Sequence, residues 1–314
     1  MISVPGIPDF ALWGGFILLI LVFLFLDLFV FNKKHHVVTI KEALLWSLFW
    51  FSIAMIFNVF VWYKFGPESG LQFLTGYLIE EALSMDNLFV ILVIMTAFKI
   101  APKFQHRVLF WGIIGAIVFR GIMILAGAAL VKKFDWIFYI FGIFIIYTGY
   151  KMLFKQQEDF NPHDSWIVKI VKKVFHVSRN HDTEHFFTME NGKRAVTLLF
   201  VALMVVEITD ILFAFDSIPA IFAITTDPFI VFTSNIFAIL GLRSLYFVIA
   251  RAHDLFHYLN IGLAIILVFI GTKMLLHHEF DIPIGLSLGI VVGVLALSII
   301  ASIIHKKQAE AKKH

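Results

Sequence analysis

The chain contains no cysteine, and only 15% of its 314 residues are charged. Without thiols there can be no disulfide bond, no thiolate metal site and no thiol redox chemistry, so a bound metal ion would need oxygen or, less commonly, imidazole ligands. The shortage of charge accompanies 60% hydrophobic residues, 37 phenylalanines and a mean hydropathy of +0.91. This balance lies far outside that of soluble domains and predicts an all-α, polytopic membrane protein.

Nine apolar segments are each long enough to cross a hydrocarbon core about 30 Å thick at about 1.5 Å per residue. Their approximate bounds are residues 10–31, 43–63, 71–98, 108–131, 134–154, 196–224, 229–250, 258–276 and 283–304. We therefore expect about nine transmembrane helices in a single transmembrane domain over residues 1–314, with one substantial loop at residues 155–195.

Positive charge is distributed unevenly over the connections between these segments. Lys33 and Lys34 follow the first segment, whereas no lysine or arginine precedes it. If the segments alternate from an external N-terminus, 19 of the 25 Lys and Arg residues fall on the cytoplasmic side, as the positive-inside rule requires. The pattern predicts an external N-terminus, a cytoplasmic loop and a cytoplasmic C-terminus.

The loop itself contains two short patterns. Apolar residues recur at helical spacing between Trp166 and Phe175, and basic residues occupy the other side, namely Lys169, Lys172 and Lys173. This predicts a short helix that either lies on the inner leaflet or docks on the cytoplasmic end of the bundle. Farther on, the dipeptide Asn191-Gly192 favours a small two-stranded hairpin.

Two apolar segments carry carboxylates where lipid-compatible side chains are expected. The third segment contains Glu80, Glu81, Asp86 and Asn87, and the sixth contains Glu207, Asp210 and Asp216. An ionised carboxylate at mid-bilayer costs about 2.5 to 3.5 kcal/mol on insertion-derived scales, so it is seldom retained without a function. The two segments also share a spacing, because Glu80-x5-Asp86-Asn87 matches Asp210-x5-Asp216-Ser217. We interpret them as one site built twice.

The repetition extends beyond the acids. Residues 147–153 (YTGYKML) match residues 269–275 (FIGTKML) at an offset of 122, and Arg120 is offset from Arg243 by 123. Each copy holds three spans, an odd number, so the second copy must enter the membrane from the opposite side. We predict an inverted repeat of two three-helix units, residues 71–154 (spans 3–5) and 196–276 (spans 6–8). Many secondary transporters have this plan, with ion sites where the halves meet.

The membrane acids outnumber the membrane bases, with six carboxylates against two arginines. Arg120 and Arg243 are interpreted as structural counter-ions, with Glu81 as a partner for one of them. Protons or bound cations would neutralise the remaining acids. The candidate ligands are Glu80, Asp86, Asn87, Glu207, Asp210 and Asp216, with Ser84 and Ser217 as accessory ligands.

This all-oxygen set suits hard ions such as Mn²⁺, Mg²⁺ or Ca²⁺ and argues against copper or zinc. In regular helices Asp86 would point about 120° away from Glu80. Pro219 is expected to unwind the sixth helix locally around Asp216 and Ser217, which would free a backbone carbonyl as a further ligand. A purely structural ion-pair network is the alternative interpretation of the acids.

Four stretches together carry a resemblance: residues 76–87 (GYLIEEALSMDN), 207–220 (EITDILFAFDSIPA), 226–229 (TDPF) and 235–243 (NIFAILGLR). They resemble the TerC family, and most of all its Alx branch, and the resemblance covers nearly the whole chain. It implies a bacterial inner-membrane protein from a family named for tellurium resistance, whose Alx-type members are associated with manganese efflux. It also implies that the cation-handling acids are Glu80, Asp86, Glu207, Asp210 and Asp216.

We therefore expect a divalent-cation exporter, with Mn²⁺ as the first candidate, that works by alternating access between the inverted halves. The expected partners are the lipid bilayer, the transported ion and protons as the counter-ion, with no tightly bound cofactor and no nucleic acid. The alternative is a membrane-protein assembly or metalation factor. Tellurite transport on the two arginines is disfavoured by the excess of acids.

An enzymatic role is not expected. An intramembrane aspartyl protease would also use two membrane aspartates. However, Asp86 follows Met85 and Asp216 follows Phe215, so the Tyr-Asp and Gly-x-Gly-Asp signatures of those enzymes are absent.

Overall fold

The computed structural model describes residues 9–26, 39–154, 166–178, 185–190, 193–252, 258–276, 279 and 282–311. Its helices are α1 (Asp9–Leu26), α2 (Ile40–Phe65), α3 (Pro67–Ala97), α4 (Pro102–Lys133), α5 (Ile137–Phe154), α6 (Trp166–Val174), α7 (Leu198–Phe222), α8 (Pro228–Ala252), α9 (Leu259–Leu275) and α10 (Ile284–Ala311). Two short strands, β1 (Phe187–Glu190) and β2 (Lys193–Val196), lie between α6 and α7. The expectation of an all-α membrane protein is confirmed.

Six helices of the described chain are long and apolar enough to cross a membrane, namely α2, α4, α5, α7, α8 and α10. The helices α1 and α9 are apolar but shorter. Helix α3 has 31 residues and carries its carboxylates in the middle, where they interrupt the apolar run. Each of the nine predicted segments therefore corresponds to a helix, while the count of nine spans stays a prediction.

Local sequence explains how several of these helices begin. Gly66 has a φ of +93°, which glycine adopts without a steric penalty, and it turns the chain from α2 into Pro67, the first residue of α3. Asp227 accepts hydrogen bonds from the backbone N–H groups of Phe229 and Ile230 at 3.0 and 3.3 Å, and so caps α8. These ends orient α3 and α8, which pack against each other.

The unwinding expected near Pro219 is wrong. Helix α7 is continuous from Leu198 to Phe222 and passes through Asp216 and Ser217 in helical conformation. Pro219 lies in the last turn, so its missing N–H removes one hydrogen bond near the helix end and does not split the helix. The backbone of α7 therefore supplies no unwound carbonyl ligand beside Asp216.

The core is built around α8. In the 18-residue apolar stretch of α8, 89% of the residues are buried. The corresponding shares are 28% for α2 and 22% for both α5 and α10. Helices α2, α3 and α4 all pack on α8. Large exposed hydrophobic side chains on the outer helices, such as Leu45, Val59 and Leu297, form the surface that faces lipid in a membrane-spanning bundle.

Helices α5 and α9 cross with their backbones in close approach. A Cβ atom on Gly271 would lie 2.8 Å from the carbonyl oxygen of Gly142, and one on Gly149 would lie 2.9 Å from that of Ala264. Larger side chains at either glycine would push the helices apart. Small residues at such crossings are a common means of association between membrane helices.

The loop before α7 forms a small layer at one end of the bundle. Helix α6 packs on α7 and buries Ile167, Val168 and Val171, so the docking contact predicted for this helix is present, while its contact with the inner leaflet stays a prediction. The strands β1 and β2 pair antiparallel with Glu190 opposite Lys193, as the hairpin prediction requires. The turn dipeptide Asn191-Gly192 lies outside the described residues.

Candidate functional site

An ion-pair cluster lies at the meeting point of α3, α4, α7 and α8. Arg120 on α4 is fully buried and donates to both oxygens of Asp210 on α7, from Nε at 3.1 Å and from Nη2 at 2.7 Å. Its Nη1 also pairs with Oε1 of Glu80 on α3. The same nitrogen lies 3.5 Å from Oδ1 of Asn235 on α8. One guanidinium thus links four helices.

The carboxylates of this cluster are less completely paired than the arginine. Glu80 is fully buried, and its Oε1 also accepts a hydrogen bond from Ser84 at 3.4 Å. Its Oε2 is buried and has no hydrogen-bond partner among the described residues, and the same is true of Nδ2 of Asn235. The cluster therefore combines two acids with one base and leaves buried polar atoms unpaired.

Glu207 lies one turn before Asp210 on α7. Its carboxylate packs so tightly on Gly115 of α4 that a Cβ atom at position 115 would overlap it. Its Oε2 is also buried without a partner. Glu207 and Asp210 therefore share a helix face, as predicted, and both are directed toward α4.

Asp216 lies away from the arginine cluster. Its Oδ1 accepts a hydrogen bond from the Thr148 hydroxyl on α5 at 3.0 Å, and the positive charge of Lys151 lies close enough to act on it. Ser217 is buried beside it, with its hydroxyl unpaired. This second group of polar residues joins α7 to α5.

Asp86 and Asn87 lie toward the C-terminal half of α3. Asp86 is half-buried, and among the described residues it has no hydrogen bond or ion pair. Asn87 is buried. The predicted separation of Asp86 from Glu80 around the helix axis is consistent with these different surroundings, because Glu80 contacts Arg120 and Asp86 does not.

Glu81 faces a different set of neighbours from Glu80. Tyr77, one turn earlier, interacts with its carboxylate, and Gly241 of α8 packs nearby. Arg120 pairs with Glu80 and not with the adjacent Glu81. Arg243 is half-buried on α8, and its predicted role as a counter-ion stays a prediction.

The predicted ligands therefore fall into three groups in this conformation. The first contains Glu80, Ser84, Glu207 and Asp210, the second contains Asp216 and Ser217, and the third contains Asp86 and Asn87. Within the described parts of the chain, no three carboxylate or histidine groups converge closely enough to hold a metal ion. A complete cation site would require these groups to rearrange.

Sequence reasoning did not assign roles to three residues of the site. Asn235 and Gly115 sit on helices that carry no carboxylate themselves, so only the packing of α4 and α8 places them beside the acids. Thr148 belongs to the repeated motif at residues 147–153. A hydroxyl within that motif, inside an apolar span, was the available signal for it.

A separate cavity of about 230 Å³ opens between the C-terminal ends of α7 and α9. Its polar lining comes from Gln72, Thr225, Thr226 and Lys273, and none of the predicted acids lines it. The cavity is therefore distinct from the three groups of candidate ligands.

Comparison with known proteins gives a consistent result over the whole chain. The family described as integral membrane protein TerC family matches residues 65–310. An uncharacterized membrane protein of Myxococcus xanthus, STKORF319, is 51% identical over 309 residues, which cover 98% of this chain and 97% of that protein. A protein of Escherichia coli K12 named putative membrane-bound redox modulator Alx is 45% identical over 92% of this chain and 93% of its own length. No solved structure matches the chain.

Proposed function

The chain belongs to the TerC family of integral membrane proteins, and we propose that it exports a divalent metal cation, with Mn²⁺ as the first candidate, across the bacterial inner membrane. The observation that carries this proposal is a set of buried carboxylate oxygens that have no hydrogen-bond partner in the described part of the chain, one each on Glu80, Glu81 and Glu207. A proton, an ordered water or a cation can satisfy such atoms, and a cation also compensates the charge of ionised carboxylates inside a bilayer.

The chemistry of the ligands selects the class of ion. Carboxylates, the amide of Asn87 and the hydroxyls of Ser84 and Ser217 are all hard oxygen donors, which favour Mn²⁺, Mg²⁺ or Ca²⁺. Asp86 and Asp216 form no ion pair with an arginine in the described part of the chain. They are therefore the acids best placed to exchange a metal ion for protons.

The pairing of helices supports an inverted repeat. If α3, α4 and α5 correspond to α7, α8 and α9, then the packing of α3 on α8 corresponds to that of α7 on α4, and both are present. At the offset of 122, Gly149 corresponds to Gly271 and Gly142 to Ala264. The two close approaches between α5 and α9 are then the same contact repeated, as a local two-fold axis requires.

The position of the ion-pair cluster supports alternating access. Glu80 and Arg120 belong to the first half of the repeat and Asp210 to the second, so the ion pair between Arg120 and Asp210 ties the halves together. Movement of one half against the other would open this pair and change which groups face each side. We propose protons as the counter-ion, an external N-terminus and a cytoplasmic C-terminus. The mechanism includes no catalytic residue.

Flux in liposomes that contain only this protein is the direct test. Vesicles loaded with a manganese-quenched fluorophore should show protein-dependent Mn²⁺ movement that an imposed pH gradient accelerates. Vesicles reconstituted with a variant carrying both Asp86→Asn and Asp216→Asn serve as the control for leakage. Absence of protein-dependent flux for Mn²⁺, Mg²⁺ and Ca²⁺ would refute the proposal.

The second candidate is an assembly or metalation factor for other membrane proteins. One observation favours it: the loop layer exposes large apolar side chains, including Trp166, Phe187 and Met189, which a client protein could cover. In that case liposome flux would be absent, while cells without the protein would accumulate incompletely metalated partners. The relatives named as putative redox modulators do not point to thiol chemistry here, because this chain has no cysteine.

A further inference from the structure

Arg120 lies between carboxylates that belong to the two halves of the repeat. Its guanidinium contacts three oxygens, two on Asp210 and one on Glu80, and it lies next to the amide oxygen of Asn235. These are the donor types that a hard divalent cation prefers. The guanidinium and Glu80 are fully buried, whereas the Asp210 side chain is 13% exposed.

The surroundings of the guanidinium hold more acceptor capacity than it uses. Oε2 of Glu80 and Oε2 of Glu207 are buried and unpaired, and Glu207 lies one turn from Asp210 on the same face of α7. A single guanidinium leaves the pair of carboxylates that it binds, Glu80 and Asp210, with a surplus of negative charge when both are ionised. A divalent cation would compensate this charge more completely.

We propose that Arg120 is an intramolecular competitor of the transported cation. In the metal-free conformation it holds Glu80 and Asp210, and the metal ion gains these oxygens only by displacing the guanidinium. The inference rests on the proposed transport function and adds the residue that sets the affinity of the protein for the transported cation. Both contacts with Asp210 are engaged at once, so a metal ion and the guanidinium cannot share this carboxylate without bringing two positive charges close together.

This competition has a consequence for release. A transport site must bind strongly enough to load and weakly enough to empty. An arginine that returns to the acids when the metal leaves lowers the net affinity and compensates part of the negative charge of the empty site, which is costly inside the bilayer. Because Arg120 is on α4 while Asp210 is on α7, the exchange also makes and breaks a link between the halves.

The test measures Mn²⁺ binding to purified protein by the loss of the free-ion EPR signal. Arg120→Gln should bind Mn²⁺ at least about tenfold more tightly than the unmodified protein, because it removes a positive charge a few ångströms from the ion. Arg120→Lys should fall between the two, since it keeps the charge but loses the forked geometry. Arg107→Gln is the matched control on the same helix, where the guanidinium lies over the ring of Phe186 and outside the cluster.

Poor folding of Arg120→Gln is also informative. If the arginine stands in for the metal, Mn²⁺ in the growth medium should restore the yield of monodisperse Arg120→Gln protein toward that of Arg107→Gln. A yield that stays equally low with and without Mn²⁺, or an unchanged affinity in both Arg120 variants, would overturn the inference and leave a purely structural ion pair. If the unmodified protein transports Mn²⁺ while the Arg120 variants give either of these contradicting results, only the inference about Arg120 fails. If it neither binds nor transports Mn²⁺, the proposed function fails as well.

Discussion

Residues of the same chemical type have different surroundings in this protein. Glu80 and Asp210 are held by the Arg120 guanidinium, whereas Asp216 accepts only the Thr148 hydroxyl and Asp86 has no partner among the described residues. A carboxylate held by an arginine links helices of the bundle in the metal-free conformation, and a metal ion reaches it only by displacing the guanidinium. A carboxylate without one is available for a ligand. Neutralising the two kinds should therefore have different effects.

Asp86→Asn and Asp216→Asn should fold normally and lose export. Asparagine keeps the size of aspartate and still offers an oxygen to Thr148, so the free energy of unfolding should change by less than about 1.5 kcal/mol. Protein yield and the manganese content of cells expressing each variant are the measurements. Wild-type manganese content with normal yield in both variants would show that these acids are not part of the transport path.

Asp210→Asn and Glu80→Gln should instead destabilise the protein. Each change removes one of the two carboxylates that bind Arg120, so the loss should be smaller than the about 3 to 5 kcal/mol that follows when a buried pair is broken outright, because the other carboxylate still compensates the guanidinium. Thermal unfolding in detergent is the measurement. A triple variant with Arg120→Met, Asp210→Asn and Glu80→Gln should recover part of the lost stability, because none of the three buried charges then remains. Strictly additive losses would contradict this account.

Helix α6 shows how one short element can present two apolar strips. One strip, defined by Ile167, Val168 and Val171, is buried against α7. The other strip is exposed and consists of Trp166, Ile170 and Val174. Exposed lysines at positions 169 and 173 lie on the same helix. A helix that is docked on one side and both apolar and basic on the other fits a position at the lipid interface.

The exposed strip of α6 is predicted to enter the headgroup region of anionic membranes. Because the chain has no cysteine, a single Ile170→Cys variant can carry an environment-sensitive fluorophore. Its emission should shift to the blue in nanodiscs of anionic lipid relative to neutral lipid. The reason is that each lysine near an anionic surface contributes about 1 kcal/mol to the free energy of membrane binding. Adding Lys169→Gln and Lys173→Gln should reduce the difference. Equal emission in both lipids would place the strip away from the membrane.

At the scale of the whole molecule, orientation decides the direction of transport. The loop layer and the C-terminus are predicted to be cytoplasmic because most lysines and arginines then face the cytoplasm. The turn between α2 and α3 would be external. This assignment also sets which end of the inverted repeat faces the substrate.

Cysteine labelling in intact cells tests this orientation. Glu68 is exposed in the first turn of α3, so Glu68→Cys should react with a membrane-impermeant maleimide from outside. A cysteine added after His314 should react only after the cells are permeabilised. The reverse pattern at both sites would invert the proposed topology and the direction of export with it.

Much of the architecture was determined by the sequence alone. The nine predicted segments each contain a helix, because bilayer thickness demands long apolar runs that are visible in hydropathy. The strands beside Asn191-Gly192 and the apolar pattern of α6 are likewise local signals, and both elements are present. The candidate acids were identifiable because a carboxylate inside an apolar run is conspicuous.

The tertiary structure decided which of those acids act together. Helix rotation and crossing place Arg120 between Glu80 and Asp210, and they leave Glu81, adjacent in sequence, beside Tyr77. Packing also kept α7 helical through Asp216, where a proline had suggested unwinding. Such choices depend on contacts between side chains far apart in the sequence, since Arg120 and Asp210 are 90 residues apart. Local spacing and hydropathy carry no information about which distant helix a buried charge will meet.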